Sequence, residues 1–339
     1  MGRQRNPFQV KKRSIGRRVA TWLLCALLAL VLVAGVYTAL DNGRVVIRKQ
    51  RVLAVDLPKA LEGYTILHIS DLHGARFGPQ QKQLAAALST KAYSAVVITG
   101  DMVGSDGDPA PFYELLTALG GKPVYFIAGD SDPAAVPGGG SVTALADWIE
   151  GAKLRGAIYV DAPAQLAVGS ARVWFSDASQ LTLDIDEATA RYAQTNTRES
   201  AYWSDVMART GAAREAMQPA DLHIALTHRP ISQEAALTMQ GYATNTGSTL
   251  LRSVNLVAAG HHVGGLWRLP GAGAVWADGW FPKDAGITGY GQAGALLQYI
   301  SGGLGAAGHT PLPALRLFNT PEMTLLTFTS QLGDDVLPR

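Results

Sequence analysis

Five short apolar runs in this chain each stop at an aspartate or a histidine. They cover residues 66–69, 95–99, 124–128, 222–227 and 256–259. A brief apolar run closed by a polar or glycine-rich turn predicts a buried strand. Helical patterns over 80–88 and 111–119 separate the first three, the second with Pro111 near its first turn, where the missing N–H is tolerated. Strand, helix, strand, helix, strand predicts a parallel α/β sheet. In such a sheet, polar groups just past the carboxyl ends of the strands face the ligand crevice. The first run closes as Ser70-Asp71-Leu72-His73-Gly74. In extended chain, residues two apart point the same way, so Asp71 and His73 are expected to converge as a pair of metal ligands. A strand followed by an ordinary polar turn is the competing reading of that stretch alone.

One segment lies outside this alternation. Residues 20–40 hold no charge, and their 21 positions span roughly 30 Å as a helix, the thickness of a bilayer's hydrocarbon core. Seven basic residues and no acid precede it. Under the positive-inside rule, residues 1–19 form a cytoplasmic tail, 20–40 a single transmembrane anchor, and residues 41–339 a domain on the extracytoplasmic side. A cleaved signal peptide competes with this reading. Its apolar core is normally shorter, and Ala34-Gly35-Val36 and Tyr37-Thr38-Ala39 are poor small-x-small sites. Cys25, the only cysteine, lies within the segment and carries no information on redox compartment. Removing the seven tail residues from the 29 basic ones leaves 22 against 27 acidic residues. A body carrying a net −5 argues against a nucleic-acid surface and suits a carboxylate-rich cation site.

Between the third and fourth runs the texture changes. A loop over 137–140, a helix over 142–154 and short strands over 157–160, 165–168 and 173–175 are expected. A polar, alanine-rich stretch over 185–217 is expected to be helical, so 137–220 can form a cap or insertion. Residues 41–58 predict a strand or hairpin. Beyond Gly273, runs over 274–277, 296–301, 314–318 and 323–329 predict short strands, the first and last of them fitting a second sheet packed against the first, and 286–308 predicts a glycine-rich irregular loop with a strand inside it.

The strand ends carry Asp71 with His73, Asp101, Asp130 with Asp132, His228, and His261 with His262. A lone Gly-Asp is a common turn and a lone histidine is usually structural. Five such ends in order are hard to produce by chance. Mixed carboxylate and imidazole donors suit Mn²⁺, Fe or Zn²⁺ better than Ca²⁺. Two such ions can hold a phosphate and acidify a water for in-line attack on phosphorus.

The order Asp71-Leu72-His73, Gly100-Asp101, Gly129-Asp130-Ser131-Asp132, His228 and Gly260-His261-His262-Val263 resembles the calcineurin-like metallophosphoesterase superfamily. The likeness spans roughly residues 60 to 330. Tyr299-Ile300-Ser301-Gly302-Gly303-Leu304-Gly305, Arg316-Leu317-Phe318-Asn319 and Pro321-Glu322 resemble the tail of its membrane-anchored bacterial branch. The resemblance implies an α/β fold, a four-layer αββα metallophosphoesterase sandwich, here preceded by one N-terminal transmembrane helix. It also implies a two-metal site. Asp71 and His73 would hold the first metal, Asp101 would bridge both, and Asp130, His228 and His261 would hold the second.

Three positions depart from the family pattern. Asp130 stands where asparagine is usual, and a carboxylate still ligates. Ser131 occupies the place of the catalytic histidine beside the leaving group, and serine cannot donate a proton near neutral pH as imidazolium can. That role is typically worth about 10²–10⁴-fold. Val263 stands where a second histidine would complete the first site. His262, one residue earlier, is expected to face the opposite way. One firm metal site and one weak or absent site follow, with reduced activity.

Two functions are therefore expected to compete. The first is a membrane-anchored phosphoesterase that acts on a phosphorylated small molecule, lipid or envelope component, with no nucleic-acid partner. The second is an impaired scaffold that binds metal or phosphate without turnover; a purely structural domain leaves the strand-end ligands unexplained. Elsewhere, His68 and His223 are expected to be core groups and His309 a solvated one. Arg76 and Arg229 suit either phosphate contact or surface ion pairs. Trp267, Trp276 and Trp280 suit core packing better than a pocket. Asp132 is expected to orient a ligand histidine or to cap the following helix.

Overall fold

The first described element is an apolar helix with nothing packed around most of its length. The computed structural model describes residues 15–137, 144–193, 197–246, 254–283, 286–306, 311–333 and 336–338, so His309 and most of the basic tail lie outside it. Helix α1 (Ile15–Asn42) is long and apolar enough to cross a membrane. Leu30 and Leu32 along it are 65% and 68% exposed, whereas Thr38 and Asp41 in its last turns are buried against the body.

Two six-stranded sheets follow. In one, β1 (Val46–Leu53), β14 (Glu322–Thr329), β2 (Thr65–Ile69), β3 (Ala95–Thr99), β4 (Val124–Ile127) and β5 (Ala157–Tyr159) lie side by side in that order. In the other the order is β12 (Gly289–Ala293), β13 (Leu296–Ile300), β9 (Val254–Ala259), β8 (Leu222–Thr227), β7 (Ala171–Asp177) and β6 (Ala164–Val168). A small hairpin joins β10 (Arg268–Leu269) to β11 (Gly273–Ala274). Strands β2 to β5 are mutually parallel, as are β7 to β9.

The apolar runs are continuous because these strands are buried on both faces. Alternation sends Val96, Ile98 and Phe126 outward onto α2 (Lys82–Leu88), α3 (Ala110–Ala118) and α4 (Asp147–Lys153), where Leu84, Phe112, Leu115 and Trp148 meet them. It sends Val97, Tyr125 and Ile127 inward against Phe175, Ile224 and Leu256 of the other sheet. Tyr125 and Phe175 stack at 4.0 Å between ring centroids. Ala225 and Val257 on the far face of the second sheet pack with Ala236 and Ala243 of α7 (Gln233–Thr246). Helix, sheet, sheet, helix is the expected four-layer sandwich. Residues 185–217 form α5 (Ile185–Ala193) and α6 (Arg198–Ala216), and Thr197 caps α6 through a reciprocal pair with Ser200. Arg209 and Tyr202 of α6 bind Asp161.

Residues 41–58 hold the expected strand, β1. Three local expectations are corrected. Residues 323–329 join the first sheet as β14, between β1 and β2, and not a second sheet, because β14 pairs with the strand that follows α1. Residues 314–318 form no strand; Leu317 makes a single bridge to Trp267. Trp267 and Trp276 are only half-buried and Trp280 is 57% exposed, so none of the three is core; Trp280 meets Trp276 edge to face across an isolated bridge outside the sheets.

His68 and His223 are core groups, as expected. Burial pushes their pKa values down from 6.5 to about 3 and about 4. His68 Nε2 meets Thr99 Oγ1 at 2.9 Å and His223 Nε2 meets Ser176 Oγ at 2.7 Å. Each stays neutral when folded and takes a proton near pH 6.5 when unfolded. Between 6.5 and about 4 the unfolded state binds more protons, so stability falls as pH falls, by about 1.4 kcal/mol per pH unit for each histidine. Thermal melts of the full chain across this window should show that fall, and His223→Gln should make it shallower. An identical slope in the variant contradicts this account.

Candidate metal centre

All six expected ligands meet at the carboxyl ends of five strands. The register aligns Ile69 of β2 with Ile98 of β3, and Ile98 with Phe126 of β4, so Asp71, Asp101 and Asp130 leave one edge of the first sheet together. The second sheet brings His228 and His261 to the same edge. Asp71, His73 and Asp101 form one group whose donor atoms lie within 4.8 Å of one another, and Asp130, His228 and His261 form another.

The route to this convergence differs from the expected one. Asp71, His73, Asp101 and His261 have φ values of 53°, 47°, 56° and 74°. These are left-handed backbone conformations, not extended chain. Their cost is met by hydrogen bonds between neighbouring strand ends. Asp71 N donates to Gly100 O at 3.0 Å, and His73 N to Asp101 O at 2.8 Å. Asp132 organises these turns in a way that was not expected. Among the described residues it neither caps a helix nor hydrogen-bonds a histidine. Its buried carboxylate accepts from the backbone N–H groups of Asp101, Val103 and Gly129 at 2.7–2.8 Å. Burial pushes its pKa up to about 6 against those bonds. The turns also press together at Gly129, where an added Cβ would lie 2.1 Å from Asp101 Oδ1.

Asp101 lies between the two groups. Its Oδ2 is 3.7 Å from His73 Nε2 and 3.2 Å from His228 Nε2, and its Oδ1 accepts from Ser131 N at 2.9 Å. Burial works against its charge, but the His228 hydrogen bond and the nearby histidines hold it well below the usual carboxylate range. Asp71 is fully buried, and burial raises its pKa to about 6 despite His228, the Ser70 hydroxyl and His261 N–H. His228 is fixed by Thr99 O, 2.8 Å from Nδ1, which turns Nε2 toward Asp101 and toward His261 Nδ1 at 3.2 Å. Burial opposes its charge, yet Asp101 and Asp71 raise its pKa to about 9.

The departures are equally clear. Ser131 Oγ lies 3.3 Å from His73 Nδ1, so a hydroxyl sits at the rim of the centre. Val263 is buried beside Asp71: a Cβ on Gly303 would be 2.9 Å from Asp71 Cβ and 3.3 Å from Val263 Cγ1. His262 joins His261 and Asp278, away from Asp71 and His73. Burial lowers its pKa to about 4. Asp278 was not expected. Its carboxylate meets His261 Nε2 at 3.1 Å from a turn, not a strand end, and nothing in its Asp-Gly context distinguishes it from any other turn. Arg229 pairs with Asp130 at 2.5 Å and lies 3.7 Å from Asp278. Arg76 pairs with Glu114 and Asp108 in solvent.

Two cavities flank the centre. One of 1470 Å³ opens beside His262 and Asp278 and is lined by Arg48, Lys49, Arg51 and Arg229. The other, of 420 Å³, includes His73 and Ser131. Neither α5 nor α6 contributes to their described linings.

A family model described as calcineurin-like phosphoesterase matches residues 64–264. No curated protein matches the chain significantly. Among solved structures, the chain is similar to a phosphopantetheinyl hydrolase from Mycobacterium tuberculosis, at 14% identity and a TM-score of 0.35, over 76% of this chain and 96% of that one.

Proposed function

Because the chain belongs to the calcineurin-like phosphoesterase family, we propose that it is a metal-dependent phosphoester hydrolase built on Asp71, His73, Asp101, Asp130, His228 and His261. The observation that carries this reading is the place of Asp101, one carboxylate facing ligand groups on both sides. The donor set fits a divalent ion. Asp71 and Asp101 are packed together with His228 protonated to answer them. A divalent cation in that place answers two carboxylates better and displaces the proton. When bound, the ion supplies positive charge against the phosphate and makes water a better nucleophile near neutral pH.

The remaining work falls to this chain's own side chains. Asp101, Asp130, His228 and His261 form the firm site, with Asp278 holding His261 through its other ring nitrogen. Asp130 brings a charge where the family pattern has a neutral amide, and Arg229 offsets it. Asp71 and His73, with Val263 apolar near Asp71, form the weak site. Ser131 orients toward His73 and donates no proton to a leaving group, so activity is reduced and favours esters whose alcohols leave unaided. The cationic cavity receives the anionic remainder of a phosphorylated substrate. Helix α1 anchors the hydrolase, residues 41–339, on the extracytoplasmic face, with residues 1–19 in the cytoplasm. A second reading, a scaffold that binds metal or phosphate without turnover, is favoured by Ser131 and Val263 together.

The test uses the full chain in detergent, purified without chelator. Metal is counted by elemental analysis, and hydrolysis of bis(para-nitrophenyl) phosphate is followed with added Mn²⁺. Turnover that disappears on chelation and returns with Mn²⁺ is the expected result. Bound metal without turnover supports the scaffold, and no bound metal even in excess Mn²⁺ overturns the hydrolase and the metal-binding scaffold alike.

A further inference from the structure

The smaller cavity joins the metal centre to the end of the apolar helix. It is lined by His73 and Ser131, by Phe77 and Leu304, and by Asn42 and Ala314. Asn42 is the last residue of α1. Its side-chain amide donates to Arg316 O at 2.6 Å and accepts from Arg316 N at 3.0 Å. Arg316 is fully buried, and its guanidinium donates to Gly305 O at 2.8 Å. Gly305 N in turn donates to Asp71 O at 2.6 Å. Three hydrogen bonds thus separate the helix end from a candidate metal ligand. Tyr37 packs on Phe318 at 5.3 Å, and Asp41 holds Thr320 and Arg44, so the helix joins the body without a slack linker.

This fixes a height. The uncharged stretch ends at Leu40, and Asn42 follows two residues later, about 3 Å along the axis. If α1 spans a bilayer, the cleft that contains Asn42 lies at the lipid surface. Leu315 and Phe318, 36% and 39% exposed, flank that end. Aromatic and aliphatic side chains beside a span suit the bilayer interface. On the other flank of the centre the larger cavity is lined by Arg48, Lys49, Arg51 and Arg229 together with Asp278 and Glu322, an excess of cations over acids. The small cleft combines Phe77, Leu304 and Ala314 with polar Ser105 and the buried Arg316, while the larger cavity carries more charged groups.

We propose that the small cleft admits a phosphoester carried by a membrane lipid. The acyl part stays at the bilayer, the chain passes Phe77 and Leu304, the phosphorus reaches the His73 end, and the polar remainder extends into the cationic cavity. Hydrolysis is balanced by water alone: a water oxygen bonds to phosphorus, the ester P–O bond breaks with its electron pair on the leaving oxygen, and the water proton passes to solvent or to that oxygen. This inference rests on the hydrolase reading and on α1 as a membrane span.

The test compares two substrates with one leaving group. The full chain is reconstituted in phosphatidylcholine vesicles containing a phosphatidyl para-nitrophenyl ester, and assayed separately with soluble bis(para-nitrophenyl) phosphate. Leu315 is exposed beside the end of α1 and lines neither cavity, so Leu315→Glu puts a charge where the bilayer would meet the cleft mouth without disturbing the core or the centre. The variant should lose about tenfold or more in kcat/KM on the vesicle-borne ester and stay within about twofold on the soluble one. Equal losses on both, no loss on either, or a wild type that hydrolyses only the soluble ester overturn the inference and leave the hydrolase reading standing. A wild type that hydrolyses neither overturns both.

Discussion

Asp101→Asn should lower metal-dependent turnover by about 10³-fold or more, the expected cost of several kcal/mol of charge stabilisation. The substitution is nearly isosteric. An amide oxygen can still accept from Ser131 N, and the backbone N–H still donates to Asp132, so the turn keeps its shape. What disappears is the negative charge between His73 and His228. Because that charge faces both ligand groups, metal content should fall at the firm site as well as at the weak one. His228 should also lose most of the effect that lifts its pKa to about 9, since Asp101 supplies both a hydrogen bond and a charge to it. Elemental analysis, turnover with Mn²⁺ and a histidine titration by NMR check the three effects on one preparation. A variant that keeps its metal and its rate would show that the catalytic ion sits elsewhere.

Ser131→His should raise activity, which is rare for a single substitution. Restoring a proton donor should accelerate alkyl phosphoesters by about 10²–10⁴-fold and leave para-nitrophenyl esters nearly unchanged, because only the poor leaving group needs the proton. The backbone is already placed for it. Ser131 N is held by Asp101, and Asp132 ties down the same turn through three N–H groups. The side chain already points toward His73 and lines a cavity of 420 Å³, which has room for an imidazole. The ratio of alkyl to nitrophenyl rates is the decisive measurement. A gain of equal size on both substrates would point to a change in metal binding, and no gain on either would mean that the missing acid is not what limits this site.

The strand-end residues were legible because burial on both faces imposes an uninterrupted apolar run, and a polar residue at its end must face either solvent or a ligand. The place of Val263 at the Asp71 side was legible only through the resemblance of the Gly-His-His-Val turn to the family pattern. The left-handed turns were not, since Asp71 and His73 gain their unusual φ only from bonds to Gly100 and Asp101 on another strand. Asp132 was visible, but its function depends on three backbone groups, two of them about 30 positions away in the chain. Asp278 was invisible because a carboxylate in a turn carries no mark of the imidazole it will meet.

By itself, the sequence determined the periodic features of this protein: an uncharged helix of bilayer length, strands apolar on both faces, and carboxylates and imidazoles where those strands stop. These follow from neighbours in the chain, where solvation and backbone preference act locally. Only the tertiary structure decided that His261 N–H would bind Asp71 across 190 positions, that Asn42 would lock onto Arg316 across 274, and that one cleft would hold both Ser131 and the end of the apolar helix α1. Such contacts form when whole sheets bury their faces against each other, and no local pattern encodes which strand ends that burial brings together.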